Sequence, residues 1–236
     1  MTFDFKFWHY FARHGDLIHN LQENEIRKFN QRLFGIFALG LLLFALSEIW
    51  GMNTKSLTPY LAEASWDAYT LARWTSLLGT LLWAGFYMAF HTYGVAFLFS
   101  KFTKMTFRAA LVMQSYVLAI LLIEKALLFF LFAVAGFTMP VSLFSFGPLA
   151  ATFLDNTIFN YTFIMFFFNQ LTIFTALIIA IQYRFVRSFT EFSPKLILLL
   201  LILLHTAVAL AIGAFSAYVP LEEMLNDFTR GGASIE

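Results

Sequence analysis

The sequence predicts an all-α, polytopic transmembrane bundle of about five helices, preceded by amphipathic helices at the membrane interface. Three observations carry this. Hydrophobic residues fill 60% of the 236 positions against 12% charged, with 32 phenylalanines; soluble domains hold about 45–50% apolar and about 25% charged residues. The apolar residues gather into runs near the roughly 20 residues a helix needs to cross a hydrocarbon core about 30 Å thick. Lysine and arginine concentrate in alternate connections between those runs.

Residues 1–32 form the first segment. Phe3, Phe5, Phe7, Trp8, Tyr10 and Phe11 alternate with Asp4, Lys6, His9 and Arg13, and His14-Gly15-Asp16 breaks the pattern. Leu17, Ile18, Leu21, Ile26 and Phe29 then recur at helical spacing, with Glu23 and Arg27 placed i,i+4. Two short helices lying on the cytoplasmic face of the bilayer fit this pattern. The segment lacks the basic-then-apolar order of a cleavable signal peptide.

The transmembrane domain is expected over 33–217, with spans at 33–50, 74–99, 109–137, 158–182 and 196–217. A backbone in lipid must bond to itself, which makes such runs helices. Lys6, Arg13, Arg27, Lys28 and Arg32 precede the first span, Lys101, Lys104 and Arg108 follow the second, and Arg184, Arg187 and Lys195 follow the fourth. Only Lys55, Arg73 and Arg230 fall on the other side. The positive-inside rule puts the N-terminus in the cytoplasm and the C-terminus outside. A multi-pass protein of a bacterial inner membrane is the expected localisation.

On the outer side, Thr58-Pro59 reads as a helix start, and Tyr60, Trp66, Tyr69 and Trp74 as an interfacial aromatic belt. The connection 138–155 is apolar for a loop and broken by Pro140, Gly147 and Pro148; it is expected to fold back onto the outer mouth of the bundle. Residues 218–236 form an outer C-terminal tail.

A net charge of +1 provides no field for nucleic acid, and the absence of cysteine excludes disulfides and thiolate chemistry. No phosphate-binding Gly-rich loop, His-Glu-x-x-His or Gly-x-Ser-x-Gly motif occurs. The chain is therefore expected not to be an enzyme and to carry no cofactor or metal. What remains is polar residues at membrane depth, where a charge costs about 2.5–3.5 kcal/mol to insert. At about 1.5 Å per residue, Glu48, Glu124 and Lys125 fall roughly 24–26 Å from the cytoplasmic ends of their helices. Asn169 and Gln170 come at about 20 Å, His205 at about 15 Å and His91 at about 12 Å. Neighbours on a helix point about 100° apart. Lys125 is thus expected to reach Glu48 or to snorkel outward, with Glu124 accepting from Asn169 or Gln170 or staying protonated. This polar network reads either as a fixer of helix register or as an ion or proton relay. His91 and His205 each stand alone, short of the ligands zinc needs. The stripes Ala209, Gly213, Ala217 and Thr172, Ala176, Ala180 permit close helix packing, within the chain or against another subunit.

The stretch from Phe107-Arg-Ala-Ala through Ser115-Tyr116, and 156–182 with its basic turn to Pro194, resembles the Yip-domain integral membrane proteins, whose layout of a cytoplasmic segment and five spans is similar. The resemblance implies an accessory subunit, since some bacterial members accompany ABC-type exporters that protect against peptide toxins. The expected function is a non-catalytic accessory or scaffold subunit whose partners are the lipid bilayer and another membrane protein. The alternatives are a small transporter or channel subunit using the polar layer, or an intramembrane enzyme using Glu124 and a histidine.

Overall fold

The computed structural model describes residues 2–52, 66–136, 142–153 and 161–218. The expected helix start at Thr58-Pro59 and the tail from 219 onward lie outside them. The chain divides into two compact units: Met1–Thr138 with Ile178–Ile197, and Met139–Leu177 with Leu198–Glu236.

The architecture is all-α, apart from one pair of three-residue strands among the described residues. Four described helices are long and apolar enough to cross a bilayer. They are α3 (Phe29–Ile49), α4 (Trp66–Phe102), α5 (Phe107–Ala135) and the Pro194–Phe215 stretch of α9 (Pro194–Tyr218). At 37 residues, α4 is about 55 Å long, so it extends past the expected span. It contains a π-helical turn at Phe90–Gly94.

In the first unit α3 packs on α4 and α5. Met88, Leu118 and Leu122 form the buried cluster, flanked by Phe37, Leu41, Phe44 and Tyr87. Gly40 makes that approach possible: a Cβ there would strike the Met88 sulfur and lie 3.1 Å from Leu122 Cδ1. The most buried of the four long helices is α5, where every residue from Val112 to Ile120 is buried; such stretches form the interior of a bundle. Thr106 caps its start by accepting from the Ala109 amide at 3.3 Å, and Gly136, at φ 62°, closes its end. By contrast Phe34, Leu39, Leu78, Leu82 and Phe86 are exposed on α3 and α4, an apolar surface suited to lipid.

The N-terminal segment does more than lie on a surface. Helices α1 (Phe7–Ala12) and α2 (His14–Glu23) are present, meeting at Arg13 rather than at 14–16. They are framed by β1 (Thr2–Asp4) and β2 (Glu25–Arg27), paired in parallel. Lys28 clasps Asp4 at 2.6 Å and, chiefly through that bond, holds the Asp4 carboxyl below its ordinary range. The apolar residues are covered by protein. Phe5, Phe7, Leu17, Ile18 and Ile26 are buried, and the Phe7 ring stacks on Tyr116 with centroids 4.5 Å apart. The Tyr116 hydroxyl donates to the Phe7 carbonyl at 3.0 Å, about 14 Å into α5 from its start. Arg108 donates to the Ile26 carbonyl, and Gln22 donates to the Ser188 carbonyl at 2.8 Å. The N-terminal segment, the start of α5 and the end of α8 (Ile173–Phe189) thus share one end of this unit.

The expected span 158–182 is not one helix. It is split into α7 (Tyr161–Asn169) and α8, separated by Gln170–Thr172. The second unit supplies the missing backbone partners. Ser145 and Thr172 form an antiparallel bridge, Phe146 N–H donates to the Leu171 carbonyl and Ile173 N–H to the Phe144 carbonyl, both at 3.2 Å. The described part of the apolar connection therefore folds onto this break, followed by the short α6 (Gly147–Phe153).

Tyr116→Phe should cost about 0.5–1.5 kcal/mol, the net worth of the buried hydroxyl's bond to the Phe7 carbonyl. Thermal unfolding in detergent should show the loss, and Tyr183→Phe, at a half-buried site, should show much less.

Candidate functional site

A carboxylate near the C-terminal end of a helix is disfavoured by the helix dipole, and Glu48 sits in the last turn of α3, 3% exposed. Its environment compensates. Ser76 and Thr80 stand i,i+4 on one face of α4. The Ser76 hydroxyl donates to Oε1 at 2.5 Å and the Thr80 hydroxyl to Oε2 at 3.3 Å. One turn earlier on α4, Arg73 donates to the Ile49 carbonyl at 3.0 Å, closing one of the open carbonyls at the end of α3. Beside this arrangement lies a cavity of about 240 Å³ lined by Glu48, Tyr69, Thr70, Arg73, Trp74 and Leu77. It offers an acceptor within and a guanidinium at its wall, a setting for water or a small polar solute.

A second polar group lies in the same unit. The rings of Tyr87 and His91 lie tilted against each other with centroids 4.5 Å apart. Thr92, in the π-helical turn, and Gln114 are fully buried. Their hydroxyl and amide atoms have no hydrogen-bond partner among the described residues. A π turn inside an α-helix often marks a functional position.

The residues of the expected network fall in both units. Glu48, Glu124 and Lys125 belong to the first unit, and Asn169, Gln170 and His205 to the second. Lys125 is exposed and makes no ion pair among the described residues, so the expected bond to Glu48 is replaced by two α4 hydroxyls. Sequence reasoning missed those hydroxyls because a serine or threonine in an apolar helix commonly bonds back to its own turn. Thr75 does so, to the Leu71 carbonyl at 2.9 Å.

In the second unit Asn169 accepts from the Ser142 amide at 2.6 Å and the Ser145 hydroxyl at 3.2 Å. It anchors the folded-back connection. The Gln170 carbonyl accepts from the Thr175 hydroxyl at 2.9 Å, and His205 is half-buried on α9. The small-residue stripe is used inside the chain. Ala209 and Gly213 are buried, Ala217 half-buried, and a Cβ on Gly213 would lie 3.2 Å from the Phe163 carbonyl oxygen and the Phe167 amide of α7. Among the described residues no three metal-binding side chains come together.

No family model, curated protein or solved structure matches this chain. Its class, an all-α protein with helices fit to span a membrane, rests on its own geometry.

A double-mutant cycle separates the two accounts of Glu48. Glu48→Gln with Ser76→Ala should show a coupling of about 1–3 kcal/mol in detergent unfolding. Glu48→Gln with Lys125→Ala should be additive within about 0.5 kcal/mol; a large coupling there would restore the ion pair.

Proposed function

We propose that this chain is a non-catalytic accessory or scaffold subunit of a membrane complex, presenting its N-terminal segment as a folded docking cap. An ABC-type exporter is the partner that the Yip-domain resemblance implies, with the cap on the cytoplasmic side. The observation that carries the reading is the mounting of the cap. A tail that merely lies on lipid needs no internal core, yet here Phe5 and Leu17 are buried at 1% and 0% exposure, and Tyr116 and Arg108 bond to the cap's backbone. The outer surface carries exposed Arg13, Asp16, His19, Glu23 and Arg27, a mixed-charge face of the kind that steers and registers a protein partner.

A second reading, a small transporter or channel subunit, draws on the interrupted α7–α8 segment. Discontinuous helices at membrane depth place backbone polar groups where a solute can meet them.

One preparation tests both. In mild detergent the chain should migrate as a defined complex. Arg13→Glu with Arg27→Glu should release the partner while shifting stability by no more than about 0.5 kcal/mol per site, as surface changes do. The protein alone in liposomes should move neither protons nor solutes. A flux abolished by Glu48→Gln or Glu124→Gln would overturn the accessory reading in favour of transport.

A further inference from the structure

Along one flank of the first unit, α3 and α5 leave a groove of about 640 Å³ between them. It runs from Arg32 to Leu46 on α3, about 21 Å. Its chemistry changes along that length. One end is polar, made by Lys6 and His9 of the cap and by Gln31 and Arg32 of α3. The remainder is apolar, with Leu39, Leu42 and Leu46 facing Ile123 and Phe130 across a floor opened by Gly35 and Ala126.

The basic residues at the polar end are distinctive. Lys28 is held by Asp4 and Arg108 by the Ile26 carbonyl. Lys6 and Arg32 are exposed, and among the described residues neither side chain has an ion pair or hydrogen bond. Two exposed cations, neither in an ion pair among the described residues, at the mouth of an apolar groove complement a ligand with one anionic end and a long hydrocarbon end. The length also fits, because half of a hydrocarbon core is about 15 Å, which leaves room for a headgroup at the polar end. Trp8, 72% exposed at that mouth, is a residue type that settles at headgroup level.

We propose that this groove seats one anionic glycerophospholipid, its phosphate between Lys6 and Arg32 and an acyl chain laid along α3 toward Leu46. The lipid would bridge the cap, which supplies Lys6, to the first span, which supplies Arg32. His9 and Gln31 stand beside the phosphate as further polar contacts. This site is independent of the docking role, since it concerns the lipid-facing flank and not the outer face of the cap.

Native mass spectrometry of the delipidated full-length protein tests it, by titration with phosphatidylglycerol or with phosphatidylcholine of the same chains. A single phosphatidylglycerol should be retained in preference to phosphatidylcholine. Each basic residue near an anionic lipid is worth about fivefold in affinity, so Lys6→Glu with Arg32→Glu should weaken retention by roughly 25-fold or more. Gly35→Leu should fill the groove and abolish the adduct. Gly79→Leu on α4 should leave it intact, since a Cβ at either glycine meets nothing within 4 Å and both changes favour helix. Equal retention of the two lipids, or Gly35→Leu without effect, would overturn the proposal. So would full competition by soluble glycerol phosphate, which would leave the apolar groove unused. Loss of a dimer rather than a lipid adduct in Gly35→Leu would assign the groove to a second copy of the chain and equally overturn it.

Discussion

A peptide N–H or C=O left without a partner in hydrocarbon costs several kcal/mol, and the chain's local features answer that constraint. Where a helix runs unbroken the answer is automatic. Where it ends, side chains or another segment complete the bonding. Arg73 reaches the Ile49 carbonyl at the close of α3, Thr106 opens α5, and Ser142–Phe146 lies against the interruption between α7 and α8. Ser47 in α3 and Thr75 in α4 follow the same rule, donating to the Leu43 and Leu71 carbonyls at 2.9 Å.

The same logic explains how the first unit is organised around α5. Over Val112–Ile120 this helix is buried, and there a polar side chain calls for a partner. Tyr116 meets this requirement by donating to Phe7, so the helix that fills the bundle also carries the N-terminal cap. One flank of α5 then faces α3 across the basic-ended groove. Cap, core helix and groove form one connected piece of structure within this unit, and the proposed docking and lipid sites both draw on it.

Much of this was legible from residue types alone. Four of the five expected spans correspond to helices, because run length and bilayer thickness leave little freedom. The clustering of basic connections at one end of the first unit agrees with their charge. The break at Gln170–Thr172 escaped because an average over a phenylalanine-rich window hides three residues. Its signal was nonetheless present in Thr172-Ile-Phe-Thr175. These two threonines cap each other reciprocally, Thr175 N–H to Thr172 Oγ1 at 3.1 Å and Thr172 N–H to Thr175 Oγ1 at 3.2 Å, a capping box with threonine in the place of glutamate. The pairing of Glu48 with Ser76 and Thr80 was not legible, because periodicity gives the face of a helix and not the neighbour it meets. Depth counting gives the level of a polar residue on its helix and not which side chain it meets.

Hydrogen–deuterium exchange of the intact protein in lipid nanodiscs tests the governing constraint most directly, at the described break between α7 and α8 in the expected fourth span. If the break is sealed internally, peptides covering 142–147 and 170–175 exchange as slowly as helical peptides of α5. Asn169→Ala should then selectively accelerate 142–147, where the side chain holds the Ser142 amide. Exchange of both segments in the unmodified protein at the rate of an open loop would contradict a sealed break, and with it the claim that internal backbone satisfaction shapes this fold.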